Sequence, residues 1–283
     1  MSSYGYFPEE YTELETAKIV VLPVPYDETS TWGKGADKGP EALFDASRVM
    51  ELYDIETDSE VYRQGIYTAP PVTEKRTPEG MTDAVQKASA QYLDKNKFLV
   101  TVGGEHSVTV GVVRAHAAKY KNLSVLQFDA HSDLRDVYRG SNYNHACVMA
   151  RVREVCPVYV QVGIRSQDKS ELKYVHPDRI FYAKYIYDRK DWMQKAVDQL
   201  TDNVYITIDL DAFDPGYLPS TGTPEPGGMN WNQIFELLAM VVEQKNVVGF
   251  DVVELCPRDC DRASNFLAAK LIYKLLSYRF KKS

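Results

Sequence analysis

Three short segments of the chain carry ionisable residues with the types and spacing of metal ligands. They are "GGEHS" (103–107), "FDAHSD" (128–133) and "TIDLDAFDP" (207–215). Because alternate residues of an extended chain point to one side, Asp129, His131 and Asp133 would form one row of ligands. By the same spacing, Asp209 and Asp211 would form a second row. If the two rows follow neighbouring strands, four aspartates converge at one place.

Four aspartates at one place need a positive charge beside them. Like charges at short range suppress one another's ionisation, so the cluster is untenable without counter-charge. Two divalent cations would supply the four positive charges that balance it. Carboxylate and imidazole ligands without a thiolate suit Mn²⁺, and less specifically Fe, Co, Ni or Zn. The candidate metal ligands are His106, Asp129, His131, Asp133, Asp209 and Asp211.

Such a pair of metals has a defined chemistry. Two ions about 3.5–4 Å apart can share a water and lower its pKa to near neutrality, which yields a hydroxide able to attack an electron-poor carbon. Each segment alone has a simpler explanation, as a charged turn, a helix cap or an ordinary histidine at a helix start. The occurrence of all three after successive strands favours a dinuclear metal site.

Apolar, β-rich runs alternate with helical stretches from end to end of the chain. Strands are predicted over 18–26, 97–102, 123–128, 158–164, 204–210 and 246–255. Helices are predicted over 39–50, 81–93, 107–120, 146–155, 191–200, 231–244 and 262–279. This alternation predicts one α/β domain over residues 1–283, with a parallel sheet covered on both faces. Ligands of such sheets bind beyond the carboxyl ends of the strands, where the three segments lie.

Composition and charge argue against several classes of function. The 283 residues are 44% apolar with a net charge of −7, which describes a globular protein and disfavours nucleic acid or an anionic membrane as a partner. The sequence has no secretory pattern at its N-terminus and no run of roughly 18 apolar residues. The four cysteines lack the spacing of a disulfide framework or a zinc site, so a cytoplasmic location is expected. The cysteines of "CPRDC" are either a redox pair or two unrelated thiols.

The motifs resemble those of the ureohydrolase family, which includes arginases and agmatinases. Besides the three segments above, they include "GKGADKGPEAL" (33–43), "SNYNHA" (141–146) and "GFDVVEL" (249–255). They occur in family order over essentially the whole chain. The resemblance implies a three-layer αβα sandwich around a mainly parallel eight-stranded sheet. It also implies a homo-oligomer, commonly a trimer or hexamer, with two Mn²⁺ per subunit that hydrolyse a guanidinium group to urea and an amine.

The resemblance further implies a role for each motif residue. One metal would be held by His106 and Asp133, the other by His131 and Asp211, and both would be bridged by Asp129 and Asp209. His145 would shuttle protons or help to position the substrate, and Glu254 would grip the guanidinium. A carboxylate suits a planar cation, and an imidazole can protonate a departing amine near neutral pH. Two departures from the family pattern, Glu105 for Asp and Ala146 for Gly, remove no ligand.

The stretch that follows the central motif bears on the substrate. "LRDVYRGSNYN" (134–144) resembles agmatinases more closely than arginases, so the predicted substrate is agmatine, hydrolysed to putrescine and urea. Agmatine is a small cationic guanidino compound that ends in a lone ammonium, for which Tyr138, Tyr143 and Asp168 are candidate partners. The longer N(1)-aminopropylagmatine stays open as an alternative substrate.

Other substrates and other classes of protein also stay open. Guanidinobutyrate and formiminoglutamate carry a carboxylate, for which Arg135, Arg139 or Arg165 are candidate partners, and arginine is a further alternative substrate. A dinuclear phosphatase would need basic groups around the metals in place of Glu254. A non-catalytic metal-binding subunit would have no need for His145 and Glu254.

Overall fold

A computed structural model describes residues 2–281, and its central feature is one sheet of eight strands. The strands are β1 (Ile19–Val24), β2 (Ile66–Thr68), β3 (Phe98–Gly103), β4 (Leu123–Phe128), β5 (Val158–Ile164), β6 (Ile180–Tyr182), β7 (Asn203–Asp209) and β8 (Asn246–Val253). Their order across the sheet is β2-β1-β3-β8-β7-β4-β5-β6. Every neighbouring pair is parallel, which confirms the predicted fold class.

Helices cover both faces of this sheet. They are α1 (Gly39–Ser47), α2 (Pro78–Asp94), α3 (Thr109–Lys119), α4 (Val148–Val155), α5 (Ala183–Ile186), α6 (Asp191–Asp198), α7 (Trp231–Gln244) and α8 (Ala263–Arg279). One hydrophobic cluster joins the sheet to α1, α6, α7 and α8, and another joins it to α2, α3 and α4. Successive strand residues serve opposite faces: in β4, Leu126 belongs to the first cluster and Val125 to the second. Burial on both sides explains why the strands are apolar throughout.

Every predicted strand and helix is present, with differences at many of their ends. The bounds of β4 and β5 are those predicted, whereas the three-residue edge strands β2 and β6 escape the sequence prediction. Asn230 directly precedes the predicted helix 231–244 and caps α7: it accepts from Gln233 N at 2.9 Å, and the Gln233 side chain accepts from Asn230 N at 3.0 Å. Within residues 2–281, no helix has both the length and the apolar character needed to cross a bilayer.

The strand order determines where the ionisable segments meet. β3, β8, β7 and β4 are consecutive neighbours at the centre of the sheet. β4 and β7 pair directly along their length, which is the condition for the predicted convergence of aspartates. Since parallel strands end at the same edge of a sheet, the chain segments that follow all four strands come together there.

Candidate metal centre and active site

A cleft of about 290 Å³ lies where the segments after the central strands meet. Each of these four strands leads into one or more of the predicted site residues. Six of the eight line the cleft: His106, His131, Asp133, His145, Asp209 and Glu254. The other two, Asp129 and Asp211, are buried and contact the histidines. The structure therefore brings all eight predicted residues together.

His106 faces three carboxylates. Its Nδ1 lies 3.0 Å from Asp133 Oδ2. Asp129 Oδ2 and Asp209 Oδ2 lie 3.1 and 3.3 Å from the same nitrogen. All four side chains are buried. The imidazole nitrogen and the carboxylate oxygens of Asp129 and Asp209 lie close enough together to form a donor set that suits a divalent transition metal, and Asp133 is a further neighbour of the same nitrogen.

The other ring nitrogen of His106 supports this interpretation. Nε2 lies 3.0 Å from Thr207 Oγ1, and that hydroxyl donates to Asp251 Oδ1 at 2.6 Å. Thr207 therefore accepts from Nε2–H, which leaves a lone pair on Nδ1 of the neutral ring. Nδ1 is buried and has no hydrogen-bond partner in the described part of the chain. A lone pair and three carboxylates that meet in a buried place require a cation, so the residues fit a metal ion.

The charges of this cluster conflict when no metal is bound. Burial alone would lower the pKa of His106, but its contacts with Asp129, Asp133 and Asp209 raise that pKa well above its ordinary value. Burial, followed by the charge of Asp129, raises the pKa of Asp133 to about 7. A divalent cation supplies the positive charge that the carboxylates otherwise draw from protons.

His131 and Asp211 form a second cluster with Asp129. His131 Nδ1 lies 2.9 Å from Asp211 Oδ2 and 3.6 Å from Asp129 Oδ1. Burial would lower the pKa of His131, but Asp211 and Asp129 raise it to about 12. Asp129 presents one oxygen to each cluster, an arrangement that suits a ligand shared by two metals. Asp209 belongs to the first cluster, so its bridging of both metals stays a prediction.

Apart from Asp209, the last residue of β7, the ligands reach these positions on loops and turns and do not form rows on extended strands. β4 ends at Phe128, and Asp133 has a left-handed backbone with φ of 51°. Asp211 lies in a short 3₁₀ turn, Leu210–Ala212, directly after β7. The predicted rows are wrong for this reason: the chain turns between the ligands, so His131 and Asp133 face different clusters.

Glu254 follows β8 and lies next to the first cluster. Its side chain is buried, and its Oε1 accepts from His106 N at 2.7 Å. Burial, followed by the charge of Glu105, raises its pKa well above the ordinary value. A cationic ligand beside Glu254 would lower this pKa and favour the ionised carboxylate, so the position suits a guanidinium.

His145 lies at the start of a short 3₁₀ turn, His145–Cys147. Its Nδ1 is 2.9 Å from the carbonyl oxygen of Thr29. Its ring packs edge to face with that of Tyr138, with 6.2 Å between the ring centroids. A carbonyl oxygen only accepts, so Nδ1 carries the proton of the neutral ring and Nε2 has the lone pair. Burial lowers the pKa of His145 to about 4, which keeps the imidazole neutral near pH 7.

The residues predicted for the far end of the substrate lie in different places. Tyr138 and Asp168 line the cleft. Tyr143 does not line it, and its hydroxyl accepts from Arg114 at 2.9 Å. Five carboxylates line the cleft against a single guanidinium, that of Arg135, among the described residues. This balance suits a cationic ligand.

Arg165 is unavailable to a substrate carboxylate. Its guanidinium donates to five backbone carbonyls, those of Gly163, Asp211, Ala212, Phe213 and Glu225. Of the three arginines considered for a substrate carboxylate, Arg165 is therefore excluded, because its donors are already used. Arg139 is exposed and lies outside the cleft lining.

Glu171 is a cleft residue that the sequence analysis missed. Its Oε1 accepts from Leu134 N at 2.7 Å, and its Oε2 accepts from Asp168 N at 2.6 Å. It thus ties the loop that carries Asp168 to the segment that follows the metal ligands. The signal was present in the sequence, because Asp168 and Glu171 have the spacing of a capping box at a helix start.

Similarity to known proteins extends over nearly the whole chain. A sequence model of the arginase family matches residues 17–277. The chain belongs to the arginase family. The resemblance to the ureohydrolases drawn from the motifs is confirmed, and with it the prediction of an enzyme of this type.

Relatives within the arginase family differ in the substrates for which they are named. The chain is 38% identical to the N(1)-aminopropylagmatine ureohydrolase of Synechocystis sp., over 95% of this chain and 92% of the relative. It is 31% identical to the agmatinase of Pyrococcus horikoshii, over 93% of each. The crystal structure of the agmatine ureohydrolase of Thermoplasma volcanium matches with a TM-score of 0.86 at 31% identity, over 95% of this chain and 92% of that one.

Proposed function

We propose that this arginase-family protein hydrolyses the guanidinium group of N(1)-aminopropylagmatine to spermidine and urea. The observation that carries the proposal is the pair of His/Asp clusters, joined by Asp129, at the base of an acidic cleft. The sequence prediction of agmatine differs from this substrate only in the length and charge of the tail.

Two Mn²⁺ ions are the proposed cofactor. His106, Asp133 and Asp209 would hold one ion and His131 and Asp211 the other, with Asp129 between them. These ligands are carboxylates and imidazoles without a thiolate, which Mn²⁺ favours. When bound, two divalent cations lower the pKa of water and thereby supply the nucleophile for hydrolysis.

Glu254 and His145 are the proposed catalytic residues. The Glu254 carboxylate keeps Oε2 for the guanidinium, since Oε1 accepts from His106 N. A carboxylate beside the guanidinium fixes the orientation of the reacting carbon. His145 has the lone pair of its neutral ring on Nε2, so it can take up a proton there and return it to the departing amine.

The tail of the substrate is the finer part of the proposal. Relatives named for N(1)-aminopropylagmatine are 38% and 37% identical to this chain, against 31% for an agmatinase. N(1)-aminopropylagmatine carries one more ammonium than agmatine, and the proposed partner for it is the carboxylate of Asp168 in the cleft lining, whose Oδ2 lies 3.7 Å from Arg135 Nη2. Agmatine is the second candidate, because the similarity to named agmatinases also spans the chain.

A comparison of substrates tests the proposal. Urea release is measured from N(1)-aminopropylagmatine, agmatine, arginine and 4-guanidinobutyrate after loading with Mn²⁺. One extra charged contact in the cleft, worth about 1.4 kcal/mol, would favour N(1)-aminopropylagmatine about tenfold in kcat/KM over agmatine. Asp168→Asn should reduce this preference. A higher kcat/KM for agmatine would favour agmatine, the substrate predicted from the sequence. Absence of urea release from every compound would refute the ureohydrolase reaction.

A further inference from the structure

Two nitrogen atoms of His145 are bound by one residue that lies far away in the sequence. The backbone N of His145 donates to Thr29 Oγ1 at 3.0 Å, and its Nδ1 donates to the Thr29 carbonyl at 2.9 Å. Asn144 Nδ2 approaches the same carbonyl at 3.4 Å. Thr29 therefore holds both the main chain and the ring of His145.

Thr29 is in turn fixed by Glu105. The backbone N of Thr29 donates to Glu105 Oε2 at 2.6 Å, and its hydroxyl donates to Oε1. Ser30 N donates to the same carboxylate at 3.0 Å, and Ser107 Oγ at 2.6 Å. Because the Thr29 hydroxyl gives its proton to Glu105, its lone pair is free to accept from His145 N. Glu105 is fully buried, so this anchor is shielded from water.

The hydroxyl of Thr29 thus connects two segments that the chain supplies separately. Thr29 lies in the segment after β1, whereas His145 lies between β4 and α4. The cleft is lined by Thr31 and not by Thr29, so Thr29 acts on a ligand only through His145. The Glu105 that departs from the family pattern is the carboxylate at the base of this connection.

We propose that Thr29 is a positioning residue for His145, and that it fixes the ring in the tautomer with the proton on Nδ1. This inference rests on the proposed function for the catalytic use of His145, but not for the tautomer itself. The Thr29 carbonyl requires a donor, so it holds the proton on Nδ1 and directs the lone pair to Nε2. The hydroxyl keeps that carbonyl in place by binding Glu105 and His145 N together.

A pair of substitutions at Thr29 separates the hydroxyl from the volume of the side chain. Thr29→Val removes the hydroxyl and keeps the shape, whereas Thr29→Ser keeps the hydroxyl. We expect Thr29→Val to lower kcat about tenfold to a hundredfold, with little change in KM, because a displaced proton donor loses much of a general-acid contribution. Thr29→Ser should stay within about threefold of the wild type. Both variants should retain two metals per subunit.

Nuclear magnetic resonance gives a readout that is independent of activity. In protein labelled with ¹⁵N-histidine and loaded with Zn²⁺, the ring nitrogens report the tautomer of each of the five histidines. The His145 signals are assigned by their loss in His145→Gln. We expect the Nδ1–H tautomer in the wild type and in Thr29→Ser, and a mixture of tautomers in Thr29→Val.

Thr101→Val is the matched control for loss of a buried threonine hydroxyl. Thr101 Oγ1 is buried on β3 and has no hydrogen-bond partner within residues 2–281. The inference is overturned if Thr29→Val leaves the tautomer and kcat unchanged, if it alters kcat no more than Thr101→Val does, or if it lowers kcat by releasing a metal. If Thr29→Val shifts the tautomer but the wild-type protein releases no urea from any compound, the positioning of His145 by Thr29 is upheld and the proposed function is refuted.

Discussion

Glu254 occupies a backbone conformation that few glutamates adopt. Its φ is +67°, in the left-handed region, which costs about 1–3 kcal/mol for a residue other than glycine. The conformation is held by its backbone N, which donates to Gly104 O at 2.8 Å, and by its Oε1, which accepts from His106 N. The strained turn thus places one carboxylate oxygen against the backbone of a metal-binding segment and leaves the other for a ligand. Strain of this kind is a marker of functional sites.

Glu254→Gln is predicted to separate binding of the guanidinium from integrity of the site. The glutamine oxygen can still accept from His106 N, so the fold and the metal content should not change. Loss of the charge should lower kcat/KM about a hundredfold, which corresponds to about 2.7 kcal/mol for a charged hydrogen bond. Urea-release kinetics together with metal analysis measure both effects. Glu236→Gln, which alters a half-buried glutamate on α7 that pairs with Lys190, is the control. A Glu254→Gln enzyme with normal kcat/KM would remove Glu254 from the active site.

At the scale of elements, Arg165 joins the segments that carry the second cluster. The Nη2 atom donates to Asp211 O at 2.6 Å and to Glu225 O at 2.8 Å. Glu225 Oε1 lies 3.7 Å from His131 Nε2, on the side of the ring away from Asp211. A histidine that binds a metal through one nitrogen is commonly oriented by a carboxylate at the other. One guanidinium therefore supports Asp211 directly and His131 through the Glu225 loop.

Arg165→Met is predicted to weaken one metal site and spare the other. The turn after β7 and the Glu225 loop both lose their donors, whereas the side-chain hydrogen bonds of Arg165 within residues 2–281 reach none of His106, Asp133 and Asp209. We expect the second Mn²⁺ to bind about 10–100-fold more weakly, as for loss of an outer partner of a ligand. Titration of free Mn²⁺ by electron paramagnetic resonance measures both affinities. Arg258→Met, which removes a guanidinium with one 3.5 Å contact to Thr221 O, should leave them unchanged. Equal weakening of both metals would contradict a local role for Arg165.

The same elements show what the sequence predicts and what it leaves out. β4, β5 and the cap at Asn230 are predictable because apolar runs and capping residues are local signals. β2 and β6 are not, because three residues at a sheet edge have too short a pattern and obtain their partners from β1 and β5. The metal ligands are recognisable by motif, yet their division into two clusters depends on turns such as the one at Asp133. Thr29 is invisible in sequence, since its role arises from contacts 76 and 116 residues away.

At the scale of the whole molecule, the fold concentrates negative charge at one buried edge of the sheet. The chain has a net charge of −7, and five carboxylates line the cleft against one guanidinium, that of Arg135, among residues 2–281. Packing by helices on both faces holds these groups out of water, where ionised carboxylates are costly. Without a metal, the buried carboxyl and imidazole groups bind protons that a bound metal would displace, so metal affinity and stability both depend on pH.

The difference in stability between the metal-loaded and metal-free protein is predicted to grow as the pH rises. In the metal-free fold the pKa of Asp133 is raised to about 7, and that of His131 to about 12, above their unfolded values. Between unfolded and folded pKa values the folded chain binds more protons than the unfolded chain, so its stability falls as the pH rises. The effect is about 1.4 kcal/mol for each pH unit over which one such group titrates. Bound metals replace these protons, so the stability of the loaded protein should not fall in this way.

Thermal unfolding at about pH 6 and about pH 8, with and without a chelator, measures the difference in stability. Asp133→Asn should flatten the pH dependence of the metal-free protein, and a difference in melting temperature that narrows towards about pH 8 would contradict the proposed charge balance.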